Sequence, residues 1–318
     1  IWPDIERKAE LILDMIYSDK AISKVFSGPI VPSVRHKKYD YLSTISKPSI
    51  NGLITGKMDN QFPIFYVNAV SYLGLEKAAL LASKLGKTQQ RNKYLAEAKL
   101  LRNNWERELA THPDKDNVRT RISGIYPSNI VDKSSDVYSS ILEKNWKNWL
   151  SNDHIEALWT YFDVAEAHQW LLLRNNKRAW QVLNWFWENQ TSSGLYTWWE
   201  GNKEENSFNI WPTVRGWAKP KHVTPHYWTA AEVLLLQLDM LAYEEMTDHG
   251  FHITLGLGVT EAMLAAPIKV EGLNTSQGIL GWSWEGAEVN VTWAGTKQVD
   301  FSLGPKFPSN TRVTVNKL

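Results

Sequence analysis

Residues 224–259 read TPHYWTAAEVLLLQLDMLAYEEMTDHGFHITLGLGV, and their period changes part-way along. As far as about Glu245 the pattern is helical, with Trp228, Ala231, Leu235, Leu238 and Leu241 on one face. Thr224 followed by Pro225 makes an N-cap and first helical position. After Thr247 apolar and polar residues alternate between glycines and prolines. That texture continues through APIKVEGL, GILGWSWEGAEVNVTWAG, QVDFSLG and TRVTVNK. The fold class follows: a mainly α region of helical hairpins over residues 1–248, then a small antiparallel, sandwich-like β domain over 249–318.

Five more helical patterns lie upstream. They span residues 3–19, Gln61–Leu85, Thr88–Leu109, Asp153–Arg174 and Lys177–Asn189. Gly86 is placed to stop the second, and Tyr94, Ala98, Leu101 and Trp105 recur at helical spacing in the third. The links at Gly86–Lys87 and Asn175–Asn176 are tight, whereas 20–60, 110–152 and 190–223 are long. Loops beyond about 15 residues without structure of their own are usually functional. Short links on one side and long aromatic loops on the other describe hairpins with a working face.

Composition narrows the function classes. Lys+Arg 35 against Asp+Glu 34 gives a net charge of +1, with no basic stripe for a nucleic-acid backbone. The absence of cysteine excludes disulfides, thiolate catalysis and Cys-based metal sites. No run of 18 apolar residues points to a membrane span. Of 17 tryptophans, 12 lie between Trp146 and Trp228. Such clustering fits an aromatic core or a sugar-binding cleft about equally.

No phosphate loop, zinc-binding HExxH pattern or nucleophile elbow is present. His222 and His226 stand four apart, but Pro225 lies between them, so neither a metal nor a cofactor is expected. Carboxylates among aromatics remain. Asp59, followed by Asn60 and Gln61, precedes the second helix. Read as that helix's N-cap, Asp59 would put Pro63 at the first intrahelical hydrogen bond. A start at Gln61 or Phe62 fits Pro63 better and frees Asp59 in the loop mouth. Glu200 follows Trp198 and Trp199 in TWWEGN, where apolar neighbours raise a carboxyl pKa and aromatic walls hold a sugar. Glu205 could take the same role, and Trp211, Arg215, His226 and Tyr227 continue the polar–aromatic pattern. A third set, Trp159, Tyr161, Asp163, Glu166 and His168, lies on the fourth helix and reads mostly as core. Two carboxyls across a scissile bond are what glycoside hydrolysis needs.

These features resemble the six-hairpin glycosidases, the (α/α)6 toroids of glucoamylase, trehalase and α-rhamnosidase type. Asp59, ahead of QFPIFYVNAVSYLGLEKAALLASKLG, is similar in position to the general acid of glucoamylase-like members. YTWWEGN, before the closing helix, matches the placement of the base in many toroids, and the β domain looks like the C-terminal appendage of several bacterial members. The trehalase element QWDxPxGWxP is absent, so no substrate is carried over. The resemblance implies an inverting hydrolase acting on an oligo- or polysaccharide, with Asp59 as acid and Glu200 or Glu205 as base. Trp198, Trp199, Trp211 and Tyr227 would form the sugar platform, with Arg215, His226, Asn60 and Gln61 assisting. A phosphorylase, epimerase or lyase on the same scaffold, or a glycan-binding toroid, are the alternatives. Since six helices are half a toroid, the other half is expected before Ile1 or from another chain.

Overall fold

A computed structural model describes residues 1–23, 44–58, 61–151, 159–190, 194–200, 225–247, 250–295 and 298–318. The chain forms two compact units, residues 1–152 and 153–318.

The first unit contains helix α1 (Trp2–Tyr17) and an antiparallel sheet ordered β1 (Ile22–Ser23), β2 (Thr44–Ile50), β3 (Leu53–Gly56). It continues with α2 (Ile64–Lys84), α3 (Thr88–Leu109), the short α4 (Val118–Arg121) and α5 (Asp136–Leu150). The β2–β3 hairpin and α5 fall within stretches that the sequence presents as long connections. Asn51 and Gly52 have φ of 54° and 76°, the left-handed pair that a two-residue hairpin turn requires. Ser135 caps α5 by accepting from the Tyr138 N–H.

Helix α2 begins at Ile64, later than Gln61 or Phe62, with Pro63 ahead of its first turn. The Ile64 N–H donates to Asp114 Oδ2 at 2.8 Å, so a carboxylate from beyond α3 caps this end. Asn68, fully buried, both accepts from the Ile54 N–H and donates to the Ile54 carbonyl at 2.8 Å, docking β3 on the helix. Among the described residues α2 is the helix long and apolar enough to span a bilayer, and 50% of its apolar window is buried here. Its far end closes as the sequence indicates. Gly86, at φ 70°, donates to Ser83 O, and Lys87 donates to Ala82 O, a Schellman motif.

The second unit opens with α6 (Thr160–Leu172) and α7 (Asn176–Glu188), and α8 (Tyr227–Leu241) packs on α6. The α6–α7 link repeats the closure at Gly86, with Arg174 at φ 63° in the glycine position. Helix α8 departs from its expected course at both ends. Pro225 precedes it and His226 is its N-cap, while Thr224 lies outside the described residues. Its last helical residue is Leu241, and β4 (Ala242–Thr247) follows at once. The stripe of Trp228, Ala231, Leu235 and Leu238 is also not the buried one. Thr229, Glu232, Val233, Leu236 and Met240 face inward, while Leu235 is 41% exposed. A helix with leucine at 234, 235 and 236 is apolar nearly all round, so polar partners on α6 choose its inner face.

Two sheets complete the unit. One is ordered β4–β5–β9 (β5 Gly250–Leu255, β9 Val299–Leu303). The other is ordered β10–β8–β7–β6 (β6 Ile268–Asn274, β7 Gly278–Trp284, β8 Glu288–Gly295, β10 Arg312–Lys317). The expectation of an all-antiparallel domain fails at two places, since β5 pairs with β9 and β8 with β10 in parallel. After β8 the chain changes sheet to form β9 and changes back for β10, and each crossover brings a strand in alongside an earlier one. Residues of both sheets share one core, built from Ile253, Leu255, Leu280, Trp282, Trp284, Val291, Trp293 and Phe307.

The joint between α8 and the sheets is direct. Leu241 O accepts from the Gly256 N–H at 2.8 Å and the Trp282 indole at 3.1 Å, and Met240 O accepts from Gly258 at 2.9 Å. Helix α7 holds the same segment, with Trp180 Nε1 donating to Gly258 O at 2.7 Å and Asn176 Nδ2 to Leu257 O at 2.8 Å.

Candidate active site at the starts of α6 and α8

A helix start leaves backbone N–H groups without intrahelical partners. Here the segment 198–200 supplies acceptors at two such starts. The Thr160 N–H donates to Glu200 O at 3.0 Å, and the N–H of His226 donates to Trp198 O at 2.8 Å. The Thr160 hydroxyl donates to Trp199 O and also lies 3.1 Å from Glu200 O. Behind it, Thr160 Oγ1 is 2.6 Å from Thr229 Oγ1, which is 2.7 Å from His226 Nδ1. Glu200 is thus held through its carbonyl at the start of α6, on a segment whose Trp198 carbonyl is bonded at the start of α8, and the residue is half-buried.

An aromatic surface adjoins it. Trp159 stacks on Phe162 at 5.3 Å between centroids. Tyr161 touches both Phe162 and Trp228, and Trp228 packs against His226 at 5.8 Å. Trp228 and Tyr227 are 64% and 76% exposed. Burial holds the His226 imidazole below its ordinary pKa of 6.5, which favours the neutral ring.

The sequence candidates divide accordingly. Glu200, Trp199, His226 and Tyr227 come together in the second unit. The Trp199 indole N–H finds no acceptor among the described residues. Trp198 is corrected from platform to core: it is 1% exposed, donates through Nε1 to Phe186 O at 2.9 Å, and meets the Phe186 ring edge-on. In the first unit Gln61 pairs backbone to backbone with Met58, and its side-chain oxygen accepts from Arg119 at 2.9 Å. Asp59, Asn60, Glu205, Trp211, Arg215 and His222 lie outside the described residues. Thr160, Thr229 and Trp228 were missed. The two threonines carry no spacing signal, and Trp228 reads as part of a core stripe.

Deeper between α6 and α8, His168 is fully buried, with Nδ1 3.0 Å from Glu232 Oε1 and Nε2 2.8 Å from Asp239 Oδ2. Burial alone would lower its pKa, but hydrogen bonds to Asp239 and Glu232 outweigh that and raise it. The two carboxylates sit on opposite ring nitrogens, so they cannot converge with the ring on one cation. Among the described residues no cluster of His, Asp or Glu is arranged for a metal ion.

No protein-family model matches the sequence, and no curated protein does. One solved structure is similar in fold, the GH78 family rhamnosidase of Bacillus sp. GL1, at a TM-score of 0.56 and 12% identity. The match takes in 100% of this chain and 31% of that protein. A fold shared with about a third of that protein, a helical part followed by a β part, is what the likeness shows.

Proposed function

We propose that this chain carries part of the active site of a glycoside hydrolase that cleaves an oligo- or polysaccharide with inversion. Glu200 activates water, with Glu205 the nearby alternative, and Asp59 protonates the leaving oxygen. Trp199, Trp211, Tyr227 and Trp228 form the sugar platform, and Asn60, Gln61, Arg215 and His226 supply polar contacts. The rest of an (α/α)6 toroid comes from outside this chain, and no cofactor takes part. The observation that carries this reading is the seating of Glu200: a carboxylate on a loop bonded to two helix starts, beside an open aromatic surface. The fold shared with a rhamnosidase supports the hydrolase class and argues for including rhamnosides among the substrates tried.

The test is release of sugar from a panel of oligosaccharides and aryl glycosides by wild type and Glu200→Gln. Loss of a catalytic base costs about 10²- to 10⁴-fold in turnover. Glu200→Gln within about tenfold of wild type removes Glu200 from the role. NMR of the newborn anomer reads inversion directly. Release only with phosphate identifies a phosphorylase, and oligosaccharide binding without release identifies a glycan-binding site.

A further inference from the structure

The hydrogen bonds from segment 198–200 to His226 have a direction, because one end of the chain is fixed. Trp199 O and Glu200 O are carbonyls and can only accept. Thr160 Oγ1 has one proton, and its contacts to Trp199 O and Glu200 O require that proton to point at them. Toward Thr229 it can therefore only accept, so the Thr229 hydroxyl must donate across the 2.6 Å between them. Thr229 has then spent its own proton and can only accept from His226. At 2.7 Å the donor has to be His226 Nδ1–H. The reverse order would set two bare oxygens, Thr160 Oγ1 and Trp199 O, against each other in a buried place. Two buried acceptors facing each other without a proton between them are left unsatisfied, whereas a neutral imidazole can carry its proton on either nitrogen, so the first order holds.

We propose that Thr160 and Thr229 are positioning residues that form a one-way hydrogen-bond relay from the carbonyls of Trp199 and Glu200 to His226. The relay fixes the His226 imidazole as its Nδ1–H tautomer and leaves Nε2 as a bare acceptor. The relay also makes His226 sensitive to the seating of Glu200. If the loop leaves Thr160, the hydroxyl protons are free to reverse and the ring loses its preferred tautomer. The depressed pKa of His226 agrees, since a neutral ring is needed for a tautomer to be chosen. The use of Nε2 toward a sugar hydroxyl rests on the glycosidase reading; the tautomer itself does not.

The experiment is a long-range 1H–15N spectrum of the 15N-histidine-labelled chain at neutral pH, with His226 assigned by the signal lost in His226→Gln. The expected result is a protonated Nδ1 and a bare Nε2. A protonated Nε2 with bare Nδ1, a ring protonated at both nitrogens, or an averaged mixture overturns the proposal. Two variants test the route. Thr229→Val removes the relay and moves both ring nitrogens toward averaged values, whereas Thr229→Ser keeps the wild-type pattern. If Thr229→Val folds and retains the wild-type tautomer, the relay is refuted. If it does not fold, the wild-type and Thr229→Ser spectra still decide. Loss of the glycosidase reading leaves this spectrum unchanged, so the two ideas fail separately.

Discussion

The buried side chains of α2 and α3 are mostly apolar or aromatic, among them Phe65, Leu75, Ala79, Leu101 and Trp105, with Asn68, Ser71 and Asn104 as polar exceptions. Those between α6 and α8 include Thr160, His168, Thr229 and Glu232, each bonded to a named partner. An apolar seam is held by area and tolerates small sliding. A polar seam holds only in one register, since each donor displaced from its acceptor is left dry. The first unit's hairpin is built for stability, whereas the second unit's pair is built for placement, and the Glu200 loop hangs on the latter.

The contrast can be broken by substitution. Trp105 is fully buried, packs edge-on against Phe65 at 5.3 Å and donates to Phe65 O. Trp105→Ala is expected to lower stability by about 3–5 kcal/mol in denaturant unfolding, while the His168 resonances keep their shifts. Movement of those resonances would mean that the two seams are not independent.

His168→Gln is expected to cost about 3 kcal/mol at mildly acidic pH, because it leaves Glu232 and Asp239 without their shared cation. The folded pKa of His168 is raised, so its contribution is complete below the ordinary value of 6.5 and is lost as pH rises through the higher folded value. The gap between wild type and His168→Gln should therefore narrow from mildly acidic to alkaline pH. A gap that stays constant or widens would show that the ring is not held as a cation.

The smallest effect compares the two tight links. Both are Schellman closures, but one has Gly86 and the other Arg174 in the left-handed position. A Cβ at Gly86 would meet nothing within 4 Å, so only backbone strain opposes it. Gly86→Ala should destabilise by about 1 kcal/mol, and Arg174→Gly should stabilise by up to about the same amount. Equal melting temperatures for both variants and wild type would count against this.

Legibility in the sequence followed the physics of each element. Thr88–Leu109 could be read to the residue because its apolar spacing is regular and Gly86–Lys87 precedes it. The β2–β3 hairpin carried a plain Asn51–Gly52 turn signal, yet its strands, with Lys47, Pro48 and Ser49, lack clean alternation. Helix α5 was legible, with Tyr138, Ile141, Leu142 and Trp146 at helical spacing behind a Ser135 cap, and reading 110–152 as one long connection passed over it. At the site, Trp198-Trp199-Glu200 announced an unusual loop. Which tryptophan faces out was not readable, because successive side chains of an extended segment point to opposite sides and only one of two neighbours can face a ligand. The Thr160–Thr229 contact joins residues 69 apart, and no local pattern announces it.

The direct passage from Leu241 to Ala242 bears on how this molecule can be cut and recombined. The last carbonyls of a helix ordinarily turn to water or a capping motif. Here those of Met240 and Leu241 are taken by Gly256, Gly258 and Trp282, all from the β part. The junction is a weld rather than a tether. A chimera that exchanges the sheets has to bring its own 256–258 segment and indole donor, or the end of α8 frays toward Asp239. A β part joined in this way cannot swing over the site as a separate arm; its motions are those of the helix it finishes.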